Sequence, residues 1–388
     1  MKRHAEIVGA GIGGLTAAAA LAERGWSVRV HERYPSLRHE GFGITLAENG
    51  LRVLDAVKAF EGATSAGNRI TFRYNRRADG RTISRRVLGE RRYRITRSRL
   101  ISALADVATS HGAEVAVSSQ AVAATPEGEL VMADGRRLKA DLVIAADGRQ
   151  SAVRDSLALV ARRIPMYEGA TRLMVETYPG EYDEEEAHAA SEWWSGTRRV
   201  VFGLCSDLQI YIALVCREHD LRGRKTPLDT ESWSAAFPPL AAIMTRIHDT
   251  CDWSRVMWAP FEVIKLKRWS AGRVAVLGDA ANAMPPNLGQ GGGSAMMNAL
   301  SLAVALEQHQ DVARGLAHWE ATERPLIEHT QTWSYYYSWM TRMPAPLRAA
   351  SLWTINNVRF LNRSYMRTAH HWPTGTRAPE TVATGGGS

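Results

Sequence analysis

Apolar positions along this chain fall into two regimes. In the first, short apolar runs end in glycine and an acidic residue. Ala5–Val8 leads into Gly9-Ala10-Gly11-Ile12-Gly13-Gly14, then the alanine-rich Leu15–Arg24, which has the length of a helix. Gly25 stops that helix, and Ser27–His31 alternates as a second strand ending at Glu32-Arg33. Ala140–Ala146 is apolar almost throughout, as expected of a strand covered on both faces, and ends at Asp147-Gly148. Val274–Leu277 ends at Gly278-Asp279, passes a Pro285-Pro286 turn and opens into Gly289, Gly291, Gly292 and Gly293. Helical spacing follows from Ser294 to Glu307.

In the second regime, apolar and polar residues alternate. Thr171–Glu176, Arg198–Leu204, Gln209–Val215 and Trp258–Leu266 predict an antiparallel sheet. Between the regimes, 41–44 reads as a loop and Asn49–Leu54 as a short helix. Thr96 starts a helix running to His111, and 128–138 forms a hairpin. The acidic run Glu181–Glu186 reads as a solvated loop, and Thr230–Asp249 as a helix broken at Pro238-Pro239. Val312–Ser351 reads as helical and rich in Trp and Tyr, while the tail 376–388 is small, polar and predicted to be disordered.

The fold class is therefore α/β, with a βαβ dinucleotide-binding unit and an inserted sheet. In such a unit the glycines let backbone approach a pyrophosphate at the helix N-terminus, and Glu32 is spaced to meet ribose hydroxyls. The predicted organisation is a discontinuous nucleotide-binding domain (1–165 and 269–330) and a substrate sheet over 166–268, extended by 68–95. C-terminal helices over 331–375 complete it.

Charge and cysteine usage narrow the partners. The formal charge of +8 is carried largely by arginines between Arg69 and Arg99. They alternate with apolar residues, as on the solvated face of a strand pair, and no RNA- or DNA-binding motif accompanies them, so small anions suit this charge better than nucleic acid. Three widely spaced cysteines make neither a disulfide framework nor a metal pattern, and point to a reducing cytoplasm. No apolar run reaches the roughly 18 residues of a membrane span. Ser-His-Asp order, HExxH and metal-ligand clusters are missing, so no metal is expected.

In order and spacing, Gly9–Gly14 with Glu32, Asp147-Gly148, and Gly278-Asp279 with Pro285-Pro286 and Gly289-Gln290-Gly291 resemble the FAD-dependent aromatic hydroxylases of the para-hydroxybenzoate hydroxylase type. These are single-component flavoprotein monooxygenases, and the resemblance covers the chain to about Pro373. It implies a Rossmann-like, GR2-type FAD-binding domain. By resemblance, Gly9, Gly11, Gly13 and Gly14 face the FAD pyrophosphate, and Glu32, followed by Arg33, takes the adenosine ribose. Arg97 reaches back to the FAD, Asp147 sits behind the pyrophosphate loop, and Asp279 contacts the ribityl and pyrophosphate portion. Pro286, Leu288, Gly289, Gly291 and Gly292 line the isoalloxazine.

Gly25-Trp26, Asn49–Leu54 and Thr96-Arg97-Ser98 are most similar to the 2-methyl-3-hydroxypyridine-5-carboxylate oxygenase branch. That branch implies Arg199 and Tyr211 as the clamp on a ring carboxylate, with Arg172 as a third contact. Trp258 stands where the branch tends to place a tyrosine of the substrate pocket. Asn282 replaces the family's usual histidine beside the flavin and, with Pro286, would lie nearest the reacting ring. The implied activity is hydroxylation of a small aromatic or hydroxypyridine-like acid. NADH or NADPH reduces FAD, O2 adds at flavin C4a, and the hydroperoxide transfers OH. An oxidase, an N-hydroxylating or epoxidising monooxygenase, and a non-enzymatic flavin-binding protein are the alternatives; the absence of a WxWxIP stretch sets a halogenase aside. A homo-oligomer is expected by analogy with the branch.

Overall fold

Motifs separated by more than a hundred residues meet because the strands that carry them are neighbours in one sheet. The computed structural model describes residues 2–37, 42–178 and 180–376. Its six-stranded sheet has the order Ser270–Ala271, Val274–Val276, Leu142–Ala145, His4–Val8, Ser27–His31 and Glu114–Ala116. All pairs are parallel except the first, with Val8 opposite both Ala145 and His31, and Ile144 opposite Ala275. Parallel strands leave the sheet at one edge, so Gly9, Glu32, Asp147 and Asp279 lie along the carboxyl ends of four adjacent strands.

The first helix, Ile12–Glu23, is buried at every position to Ala22. Its four consecutive alanines let it lie close between Gly291–Gln308 and Arg97–Ser110. Its end is closed by Gly25, at φ +84°, with N–H bonds from Gly25 to Ala22 and from Trp26 to Leu21.

The second sheet has seven strands, ordered Trp258–Leu266, Val160–Glu176, Gln209–Arg217, Arg198–Ser206, Ala189–Ser195, Phe72–Arg77 and Thr82–Val87. It is mixed rather than wholly antiparallel, because Phe72–Arg77 runs parallel to Ala189–Ser195. Its outer face buries Leu173, Val175, Ile210, Ile212 and Leu214 against Trp233, Phe237, Met244 and Ile247 of the two-part helical segment after Thr230. Period-two alternation puts Arg172, Met174, Arg199, Val201, Tyr211 and Ala213 on the opposite, inner face.

The segment expected to be a loop at 41–44 contains a strand, Gly43–Leu46, paired with Tyr93–Thr96. Its partner is some fifty residues away, which no local signal could reveal. Gly43 packs directly on the inner face, where a methyl group would stand 2.7 Å from the Tyr211 Cβ. The arginines of 69–99 are not all solvated either. Arg92 and Arg94 are buried, and the Arg94 guanidinium fills the space left by Gly203, where a methyl would overlap it.

The acidic run is also not a free loop. Glu184–Ala187 is a short helix capped by Asp183, and Glu185 and Glu186 pair with Arg85 at 2.7 Å and Arg76 at 3.1 Å. The C-terminal helices are Val312–Ser338 with a 3-10 turn, Ala345–Asn357 and Arg359–Met366, with breaks at Met343-Pro344 and at Val358. The tail beyond 376 lies outside the described residues.

Candidate active site

The glycines of the first turn have distinct physical reasons. Gly9, at φ +100°, brings two strand exits together, since a methyl there would stand 2.5 Å from the Ala146 carbonyl oxygen. A methyl at Gly14 would overlap the Gly9 carbonyl oxygen, and one at Gly13 would stand 2.6 Å from the Leu277 side chain. Gly13 is thus explained by helix packing. Gly11 is different: a methyl there would meet nothing within 4 Å. It is the N-cap of Ile12–Glu23 and offers no side-chain cap, so the helix's first N–H groups have no capping side chain. That arrangement suits an anion. Glu32 closes the same corner, accepting from the N–H groups of Ala10 and Tyr34, each at 3.1 Å. Arg33 is exposed and stacks over the Tyr34 ring.

Two aspartates continue the edge. Asp147 accepts from the Ala152 N–H at 3.0 Å through one carboxylate oxygen, while the other is buried without a partner among the described residues. Burial raises its pKa. Asp279 is exposed on one side, with protein close about the rest of its carboxylate. That enclosure raises its pKa against the opposing fields of Arg97, Arg149 and Arg172. Gly278, at φ +62°, turns the chain into the helical turn Asp279–Asn282. Asn282 is buried, and its side-chain nitrogen has no partner among the described residues, leaving a donor that a bound group would satisfy.

The proline-glycine loop is held from behind by the long C-terminal helix. Pro286–Leu288 forms one 3-10 turn, and Gly289 leaves it at φ +64°. Ser334 donates to the Pro285 carbonyl, and Asn287 donates to the Ser334 carbonyl at 2.9 Å and the Ser338 hydroxyl at 2.7 Å. Leu288 packs toward Trp194 and Tyr337. A methyl at Gly291 would meet open space, whereas one at Gly292 would stand 2.7 Å from Ile44.

The inner face of the large sheet approaches this loop. Tyr211 and Arg172 lie on that face, with the Arg172 guanidinium over the Phe261 ring. Arg199 lies there too, already paired within the protein. It is 2% exposed, pairs with Glu192 at 3.0 Å and donates to Asn287 at 2.6 Å. The Glu192 carboxylate also accepts from Tyr337 at 2.7 Å and lies 3.6 Å from Arg73. The residue expected to clamp a ring carboxylate thus already has a buried counter-charge, while its Nε has no partner among the described residues.

Trp258 does not share that face. It pairs with Thr171, faces the outer core around Leu173 and Trp193, and sits beneath Arg224, on the side of the sheet away from Tyr211. Sequence reading missed Glu192, Asn287 and Tyr337. Asn287 was visible only as the neighbour of Pro286, and nothing in the sequence linked Glu192 to Arg199.

A model of the FAD-binding domain family matches residues 3–330. The chain is 42% identical over 367 residues to 2-heptyl-3-hydroxy-4(1H)-quinolone synthase of Mycobacteroides abscessus, covering 92% of this chain and 95% of that protein. The chain belongs to the FAD-dependent aromatic monooxygenases. This monooxygenase is also 27% identical over 361 residues to 6-hydroxynicotinate 3-monooxygenase of Pseudomonas fluorescens, covering 84% and 90% of the two chains. Its fold matches the tetrameric form of 2-methyl-3-hydroxypyridine-5-carboxylic acid oxygenase with a TM-score of 0.85, at 32% identity and over 97% and 98% of the two chains. The open cradle at Gly11 and the unpartnered polar atoms of Asp147 and Asn282 fit FAD. Among the described residues no helix is long and apolar enough to cross a membrane, and no acidic, His or Cys group could hold a metal ion.

Proposed function

We propose that this monooxygenase hydroxylates an uncharged N-heteroaromatic ring bearing an apolar substituent, of the 2-alkyl-4(1H)-quinolone type, at ring position 3. NADH or NADPH and O2 are consumed. The observation that carries this reading is the neutralised Arg199. Its charge is paired with Glu192 and its two terminal nitrogens bond Glu192 and Asn287, so Arg199 has no free charge to offer a ring carboxylate. The 42%-identical relative carries the matching substrate class in its name.

Bound FAD supplies the redox chemistry and the activation of O2. The chain's part is to bind, orient and exclude water. Gly9, Gly11, Gly13 and Gly14 form the pyrophosphate turn, with Gly13 contributing through packing, while Glu32 and Arg33 flank the adenosine. Arg97, Asp147 and Asp279 line the middle of the cofactor. Pro286, Leu288, Gly289, Gly291 and Gly292 form a stiff wall beside the isoalloxazine. The buried Asn282 amide donates a hydrogen bond there but takes up no proton. Tyr211 and Arg172 orient the ring. We assign the protein to the reducing cytoplasm, consistent with its three free cysteines, and to a homo-oligomer.

A second reading, hydroxylation of a carboxylated hydroxypyridine, draws on Arg172, which remains on the inner face beside Phe261. The two are separated by supplying the purified flavoprotein with NADH or NADPH and either 2-alkyl-4(1H)-quinolones or hydroxypyridine carboxylates. The expected result is nucleotide consumption and a product with one added oxygen atom from the quinolones. The same result from the carboxylates alone would replace the first reading by the second.

A further inference from the structure

Beside the reaction face, the long C-terminal helix shows an aromatic tract that packing does not use up. Tyr336 is 59% exposed and Trp339 45% exposed. Tyr335 joins them, its ring 5.4 Å from Tyr336 and 6.3 Å from Trp339. Two large aromatic rings held open to water in adjoining positions mark a surface with something to cover.

The tract is continuous with the inner face. Tyr335 packs on the apolar cluster of Val215, Phe261, Ala170 and Met166. Phe261 lies beneath Arg172, whose field reaches Asp279. On the other side, Ser334, the residue before Tyr335, donates to the Pro285 carbonyl of the flavin loop. Apolar contacts thus run from Phe261 through Tyr335 to Tyr336 and Trp339, beside the buried Glu168, which accepts from Thr341 at 2.9 Å. The only cation over the tract is Arg342, among the described residues, and it stacks on the Trp339 ring at 5.6 Å.

We infer that Tyr335, Tyr336 and Trp339 form a lip that seats the apolar substituent of the ring substrate as it leaves the inner face. This rests on the substrate reading proposed above. The ring binds against Tyr211 and Arg172, and its alkyl chain covers the exposed aromatic rings. Affinity then depends on chain length, because each methylene removed from water adds to binding.

The test titrates the FAD-loaded protein with 2-alkyl-4(1H)-quinolones from methyl to nonyl, following the flavin absorbance spectrum. In the unaltered protein Kd is expected to fall about threefold to fourfold per methylene over the middle of the series. In Trp339→Ser and Tyr336→Ser the deficit should widen with chain length, flattening the dependence to less than about twofold per methylene. Phe360→Ser, at another exposed aromatic on the last helix, serves as the control and should parallel the unaltered protein. Identical length dependence in Trp339→Ser and the unaltered protein would overturn the lip. So would a change in oligomeric mass, by light scattering, with no change in length dependence, since the tract would then be a contact between copies. Binding without an oxygenated product would instead refute the substrate reading and leave the lip's result standing. No spectral response at any chain length would overturn both.

Discussion

Arg199 on the inner face of the large sheet donates to Asn287 across 2.6 Å, and Asn287 follows the proline that begins the 3-10 turn of the flavin loop. Through Asn287 the same contact reaches Ser334 and Ser338 of the C-terminal helix. Arg199 thus ties together three segments remote in sequence, with Glu192 as its counter-charge. Its role in this geometry is to position the loop.

Removing Arg199 leaves Glu192 buried with only the more distant Arg73 as compensation. Arg199→Met should therefore destabilise the protein at the low end of the about 3–5 kcal/mol typical of a broken buried pair. Adding Glu192→Gln keeps an acceptor for Tyr337 while removing the orphaned charge, and should restore at least half the loss. Denaturant unfolding of the single and double variants checks this. Unchanged stability in Arg199→Met, together with a raised KM for acidic substrates, would return Arg199 to the role of substrate clamp.

The two glycines that look alike in sequence should behave oppositely. Gly11→Ala adds a methyl to open space, so the flavin-free protein should keep its stability within about 0.5 kcal/mol. FAD affinity should fall at least about tenfold, or 1.4 kcal/mol. Gly14→Ala drives a methyl into the Gly9 carbonyl and should destabilise the flavin-free protein itself. Thermal unfolding without FAD, followed by FAD titration, separates the two. A large stability loss in Gly11→Ala would show that the open space is not a ligand cradle.

Asp279 carries a pKa raised by the protein around it, so its ionised form is disfavoured by folding, an effect that its exposure to solvent keeps small. The resulting cost to stability is absent well below the usual carboxylate range and grows as pH rises through the folded pKa. Asp279→Asn should accordingly raise the melting temperature of the flavin-free protein at pH 7, with the advantage shrinking as pH falls through the ordinary carboxylate range. FAD binding should weaken in the same variant. A melting temperature that stays equal or falls at pH 7 would contradict this account. Stability given up for a ligand is the usual mark of a site.

Local pattern carried the cofactor half of this protein. Period and punctuation identify the three apolar strands, the glycine turn and its helix, because each signal is contained within about twenty residues. The acidic residues at the strand ends could be named for the same reason. Parallel neighbours must exit at one edge, so recognising the strands nearly places Gly9, Glu32, Asp147 and Asp279 together.

The arrangement of the large sheet was decided by tertiary structure. Gly43–Leu46 is a strand only because Tyr93–Thr96 lies beside it, and Arg94 is buried only because Gly203, over a hundred residues later, leaves room. The sequence shows Arg199 and Trp258 as residues on strands of alternating character. It cannot say that Glu192 neutralises one, or that register turns the other to the outer face. A one-residue step in strand register reverses which face a side chain meets, and the partners of a buried charge are set by packing between distant segments. The sequence therefore determined that this chain holds a flavin nucleotide. Which side chains share the inner face of the large sheet was decided only when the sheets and the C-terminal helices closed on one another.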